Sequence, residues 1–176
     1  EAAVRHRQHR TVVTIHDLIH ERYPQYFPGD QTVARRKSAM QRADALVCVS
    51  HATKGYLSEL YPQHAHKAVV IHHGQNFREP PKLAIDCVHR LTAGRPFLLY
   101  VGSRFGYKNF ERMLRAFGAL NSSGPDALTL LCFGGGAFTA TELALAHSAG
   151  IASNRLVFTE GADSLLSAAY CLARAF

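Results

Sequence analysis

Short apolar strands that alternate with helix-spaced patterns predict an α/β chain of parallel sheets, arranged as two successive blocks. Three observations carry that expectation. Runs such as Thr11 to Ile15 and Leu128 to Phe133 are too short for helices and are bounded by turn residues; glycines end two of the strands, at Gly102 and at Gly134-Gly135-Gly136; and a stretch dense in proline and glycine separates the blocks.

In the first block, Thr11 to Ile15 reads as a buried strand, Gln31 to Ala43 as a helix and Ala45 to Val49 as a strand. Ser50 to Tyr61 follows as a capped helix and Lys67 to His72 as a strand. His16 to Asp30, with prolines at 24 and 28, reads as a loop. Residues 76–95 read as a hinge linker, with Glu79-Pro80-Pro81, a short helical pattern from Lys82 to Leu91, and Gly94-Arg95-Pro96. In the second block the strands are Phe97 to Val101, Leu128 to Phe133 and Leu156 to Thr159. Helices are expected after Asn109, from about Thr139 to Ser148, and from near Asp163. Two small sheets joined by a hinge predict a cleft. The domain assignment is 1–75, linker 76–95, and 96–176.

Composition narrows the function classes. The chain has 176 residues and is 47% hydrophobic, yet no apolar run reaches the roughly 20 residues of a membrane span. It opens on Glu1 and stops inside an apolar pattern at Phe176, so a fragment is expected. Cys48, Cys87, Cys132 and Cys171 are far apart and read as buried thiols of a cytoplasmic protein. Lys and Arg outnumber Asp and Glu by 20 − 13 = 7. The excess sits in Arg5, Arg7 and Arg10 and in Arg35, Arg36, Lys37 and Arg42, which suits anionic head groups or phosphorylated substrates, or simply a solvated helix face. No aromatic interleaving supports nucleic-acid binding.

The chemistry-bearing stretch is Tyr100 to Phe110. Gly102 turns the chain off its strand, Arg104 and Lys108 supply two cations, and Asn109 is placed to cap a helix whose apolar positions are Phe110, Met113, Leu114, Phe117 and Leu120. Cations beside a helix N-terminus make a dianion site; two solvated cations in a surface turn are the alternative. Gly134 and Gly135 form a second turn that lets backbone approach a ligand, but Thr139 occupies the third glycine position of a dinucleotide fingerprint. Tyr107 and Asn109 likewise break a triphosphate loop. His16-Asp17 follows the first strand at the carboxyl edge of its sheet, where His16 can donate to a phosphate or hydroxyl oxygen or merely cap the strand. His20 completes His-Asp-x-x-His, but no third ligand is in view and no metal is assigned.

Taken in order, Thr-Ile-His-Asp-Leu, Ala43 to Lys54, Val70-Ile71-His72-His73-Gly74, Tyr-Val-Gly-Ser-Arg with Tyr-Lys-Asn-Phe-Glu-Arg, Cys-Phe-Gly-Gly-Gly and Arg155 to Phe158 resemble the retaining glycosyltransferases of family 4. The resemblance implies a GT-B fold of two Rossmann-like parallel-sheet domains, both incomplete here, with the acceptor on the first and a nucleotide-diphosphate sugar on the second. It further implies that His16 reaches the donor sugar and its phosphate, and that Arg104 and Lys108 grip the diphosphate with help from Gly102, Ser103, Asn109, Gly134 and Gly135. The family's arginine stands nearer its glycine or lysine than Arg104 does, with Ser103 and Tyr107 in those places. The family's glutamate pair lies past Phe176, so the fragment is expected to be inactive alone. The forms His-Asp-Leu and Tyr-Lys-Asn are most similar to bacterial polysaccharide mannosyltransferases. They imply mannose from GDP-mannose as the hexose; the family resemblance implies transfer with retention to a glycan or lipid-linked acceptor, with peripheral association at the inner membrane face, and preplaced cations at the leaving diphosphate predict a reaction without metal or other cofactor. The alternatives are a non-catalytic α/β nucleotide- or phosphate-binding module and a metal-dependent hydrolase using His16, Asp17 and His20.

Overall fold

Parallel pairing organises both sheets. The computed structural model describes residues 9–74, 79–120 and 128–176. These fall into two compact units, Glu1–Gln75 and Asn76–Phe176.

In the first unit, β1 (Val12–Ile15), β2 (Ala45–Cys48) and β3 (Ala68–Val70) form a parallel sheet in that order, with Ile15 opposite Cys48 and Cys48 opposite Val70. Period-2 alternation sends Ile15, Leu46, Cys48 and Ala68 to one face, where Met40 and Leu57 close the core. These come from α2 (Thr32–Arg42) and α3 (His51–Leu60). As expected, Ser50 caps α3, accepting from the Thr53 N–H at 3.0 Å. The opposite face carries Val12, Val47 and Val69, and Val12 is 60% exposed, so β1 is half-buried rather than buried throughout.

Two further expectations change. The segment from His16 to Asp30 is not only loop: it holds α1 (Ile19–Arg22) and a 3-10 turn at Pro24–Tyr26. Asp17 accepts from the Ile19 N–H at 3.2 Å and Pro24 has its torsion preset for the turn, so local chemistry shapes a stretch that has little periodicity to read. Lys67 ends a 3-10 turn instead of starting β3, because its ammonium donates to the Met40 and Ala43 carbonyls, each at 2.7 Å, at the C-terminus of α2.

The helical pattern expected between the two blocks forms as read. From Lys82, α4 (Lys82–Thr92) lays Ala84 and Val88 into the core of the second unit and ends at Ala93 in the left-handed region. That unit's sheet runs β4 (Phe97–Val101), β5 (Thr129–Phe133), β6 (Leu156–Thr159), all parallel, with Val101 opposite Phe133 and Phe133 opposite Thr159. Every residue of β5 is buried. Leu131 and Phe133 meet α4 and α7 (Asp163–Leu172) on one face; Leu130 and Cys132 meet α5 (Phe110–Leu120) and α6 (Ala140–Ser148) on the other. Each leucine so enclosed contributes roughly 1.5–3 kcal/mol of transfer free energy. After α7 the chain returns to the far side of β4, where the Leu99 N–H donates to Ala175 O at 2.9 Å. The connections therefore diverge at β4, and open α/β sheets bind ligands beyond the carboxyl ends of strands at such a point.

All four cysteines are free, but only Cys48 and Cys132 are buried; Cys87 is half-buried and Cys171 exposed. Burial pushes the Cys132 thiol up to about 12, which keeps it protonated and inert.

Candidate functional site

Register brings the two glycine turns of the second unit together. Because Val101 faces Phe133, the chain leaves β4 and β5 side by side, and the Gly102 N–H donates to Phe133 O at 2.9 Å. Gly102 has φ +100 and Gly135 φ +79, both in the region that favours glycine. A Cβ on Gly135 would stand 2.6 Å from Gly102 O, so no side chain fits between the turns.

Arg104 binds these turns into one piece. Its side chain is almost fully buried. Nε donates to Glu142 Oε1 at 2.8 Å, Nη1 to Gly134 O at 3.1 Å, and Nη2 to Gly136 O and Ala137 O, each at 2.8 Å. The guanidinium carbon lies 4.8 Å from the centre of the Phe138 ring, with Phe110 at 5.5 Å and Phe158 at 5.9 Å. Arg104 thus ties the Gly134–Ala137 turn to the Gly102 turn from which its own side chain springs.

Glu142 is the partner that sequence reading overlooked. Thr139 Oγ1 accepts from the Glu142 N–H at 3.2 Å while the Glu142 carboxylate accepts from the Thr139 N–H at 2.7 Å, a reciprocal cap on α6. Thr139 at the missing glycine position is therefore a helix cap, and the spacing Thr-x-x-Glu was available as a signal. Burial pushes the Glu142 carboxyl up, but the hydrogen bonds from Arg104 and Thr139 outweigh it and hold the group below its ordinary 4.5. A depressed carboxyl stabilises the fold fully above 4.5 and loses that contribution as pH falls through its folded value. Urea midpoints of the second unit are expected to fall as pH drops below 4.5, with a shallower fall in Glu142→Gln; parallel curves for the two proteins would refute this assignment.

The turn itself ends in cationic, accessible chemistry. Ser103 Oγ accepts from the Phe105 N–H at 3.3 Å, and a 3-10 turn at Gly106–Lys108 leads to Asn109 in the left-handed region with φ +55. Asn109 precedes α5 as expected, and its carbonyl accepts from the Met113 N–H at 3.3 Å. Of the apolar positions foreseen on α5, Phe110, Leu114 and Phe117 are buried, whereas Leu120 is exposed at the helix end. Lys108 is exposed; its ammonium lies 5.3 Å from the Tyr107 ring centre and has no ion pair among the described residues. It stands two residues before Phe110, the first residue of α5, whose first-turn N–H groups lack intrahelical acceptors. Beside it opens a cleft of about 360 Å³, walled by Phe105, Gly106 and Glu111 on one side and Gly135, Thr141 and Leu145 on the other. Lys108 is outside that wall.

The first unit presents His16 at the carboxyl end of β1, exposed as expected, with Nδ1 3.2 Å from Nε2 of His73 and the two rings stacked at 5.1 Å. The His-Asp-x-x-His group disperses. Asp17 accepts from the Ile19 N–H at the start of α1, while His20 Nε2 lies 3.1 Å from Asp30 Oδ2 and its ring packs on Phe27. Among the described residues no group of three His, Cys, Asp or Glu side chains is arranged to hold a metal.

Residues 2–79 match the model for Glycosyltransferase Family 4. No protein of curated function matches the chain. Among solved structures, Anabaena HepE in complex with UDP and glucose aligns over 93% of this chain and 44% of its own, with 18% identity and a TM-score of 0.65. HepE in complex with UDP-glucose gives a TM-score of 0.61 at 18% identity, over 93% of this chain and 45% of that one. An S. aureus TarM variant in complex with Fondaparinux, alpha-GlcNAc-glycerol and UDP aligns over 90% of this chain and 30% of its own, with 10% identity and a TM-score of 0.57. The chain thus spans less than half the length of these structures. The likeness is one of fold, and it bears out the GT-B class as two Rossmann-like parallel-sheet units.

Proposed function

We propose that this chain is part of a glycosyltransferase that takes a nucleotide-diphosphate sugar, with the diphosphate on the Gly102–Asn109 turn of the second unit. The observation that carries the reading is Lys108: an exposed cation without an acidic partner among the described residues, at the end of the Gly102 turn and just before α5. When a nucleoside diphosphate leaves an anomeric carbon, negative charge grows on the departing phosphate. Preplaced donors stabilise that charge without a metal ion. Gly102, Ser103, Asn109, Gly134 and Gly135 supply backbone that can come close to the phosphates, and Arg104 serves as the residue that positions those turns. His16 donates from its ring to a hydroxyl or phosphate oxygen of a substrate.

Solved structures similar to this chain, HepE and the TarM variant, hold UDP, which favours a uridine donor over the GDP-mannose expected from sequence. Transfer proceeds with retention, to a glycan or lipid-linked acceptor. No helix among the described residues is long and apolar enough to cross a membrane. Thermal-shift titration with UDP, GDP, UMP and uridine tests the reading, since a ligand bound only by the native state stabilises it by about 2.7 kcal/mol at 100 times its Kd. UDP is expected to raise the midpoint most. No response to any nucleoside diphosphate, in this chain or in the complete enzyme, would refute it.

A further inference from the structure

We propose that His73 is a positioning residue for His16, holding its ring so that Nε2–H points outward as a donor. The proposal rests on the reading above, in which His16 donates to a substrate oxygen. β1 and β3 are not neighbours, since β2 lies between them, and at about 4.8 Å per strand spacing their ends stand roughly 9.6 Å apart. The rings nevertheless stack at 5.1 Å, so both side chains reach across the end of β2 to meet. Their roots are anchored. His16 O accepts from Thr53 Oγ1 at 3.4 Å, and Thr53 Oγ1 is in turn 2.9 Å from Ser50 Oγ. On the other side the Ile71 N–H donates to Cys48 O at 3.0 Å, and His72 Nδ1 lies 3.1 Å from Val49 O. His72 is thereby occupied with the β2 end, and its neighbour His73 turns to His16.

Only one proton fits in the 3.2 Å between His73 Nε2 and His16 Nδ1. If His73 donates, both rings carry their proton on Nε2, the tautomer a free imidazole side chain prefers. The reverse bond needs both rings in the less favoured Nδ1–H form. The first arrangement leaves Nε2–H of His16 free to face an anionic oxygen; the second would leave a bare lone pair there.

The test is a nitrogen-15 NMR measurement on the nucleotide-free protein, labelled at histidine, at about pH 8 where imidazoles are neutral. The expected result is a scalar coupling across the hydrogen bond between the two ring nitrogens, with the proton on His73 Nε2. No coupling, or a proton on His16 Nδ1, overturns the proposal, and this readout stands whether or not nucleotide binds. In the complete enzyme His73→Phe is expected to lower turnover about 10-fold with KM for the donor little changed, and His73→Gln, which keeps an N–H donor, to recover most of it. Equal losses in the two variants would reduce His73 to packing. Should His73→Phe fail to fold, the coupling in the unsubstituted protein decides.

Discussion

Lys108→Ala is expected to lower turnover of the complete enzyme by about 100- to 1000-fold, the loss seen when one preorganised charge-stabilising donor is removed. The size follows from what the ammonium has to do. It is exposed and has no competing carboxylate among the described residues, so its charge is available to a ligand. The developing charge on a leaving diphosphate is larger than that on the bound donor, so the loss should fall on kcat more than on KM. Stability should not move, because the side chain is buried against nothing; its one aromatic neighbour, Tyr107, is half-exposed itself. Steady-state kinetics of donor consumption, paired with urea midpoints, check both halves. Near-normal kcat at an unchanged midpoint would remove Lys108 from the chemistry, and a large fall in midpoint would show it to be structural.

The second unit was readable in sequence because its signals are strong. β5 is apolar after Thr129 and buried on both faces, and the glycines after β4 and β5 sit where positive φ is needed. The Gly102–Lys108 turn was recognisable from local chemistry alone. What escaped reading depended on distant partners. Arg104 lies 38 residues from Glu142, and nothing near either one reveals that strand register will bring them within 2.8 Å. The pairing of His16 with His73 likewise needs the sheet order β1-β2-β3 before it can be imagined. The proline- and glycine-dense segment at 76–95 carries the helix expected from Lys82, and that helix runs one residue further, to Thr92. Composition marks turns well, yet Pro81 precedes α4 and Gly94 follows it, so the same residues that suggest a linker are here the punctuation of a helix.

Arg104→Leu separates the two tasks that a buried arginine beside a phosphate turn could have. If Arg104 holds the turns together, its loss leaves the carbonyls of Gly134, Gly136 and Ala137 without its N–H groups and Glu142 with the Thr139 N–H but no cation. Water can reach the exposed Gly136 and Ala137, so the full cost of a broken buried ion pair is not expected; about 3 kcal/mol is. At a urea slope of about 1.5 kcal/mol/M this displaces the midpoint of the second unit by about 2 M. Arg104→Lys should lie closer to the leucine variant than to the parent, since a compact ammonium cannot reproduce a planar fork that meets a carboxylate and several carbonyls at once. A double-mutant cycle with Glu142→Gln should give a coupling of about 1–3 kcal/mol. An arginine reserved for diphosphate would behave in the opposite way: nucleotide affinity would collapse while the urea midpoint stayed within about 0.5 kcal/mol of the parent, and that outcome would return Arg104 to the phosphate and leave the glycine turns to be held by register alone.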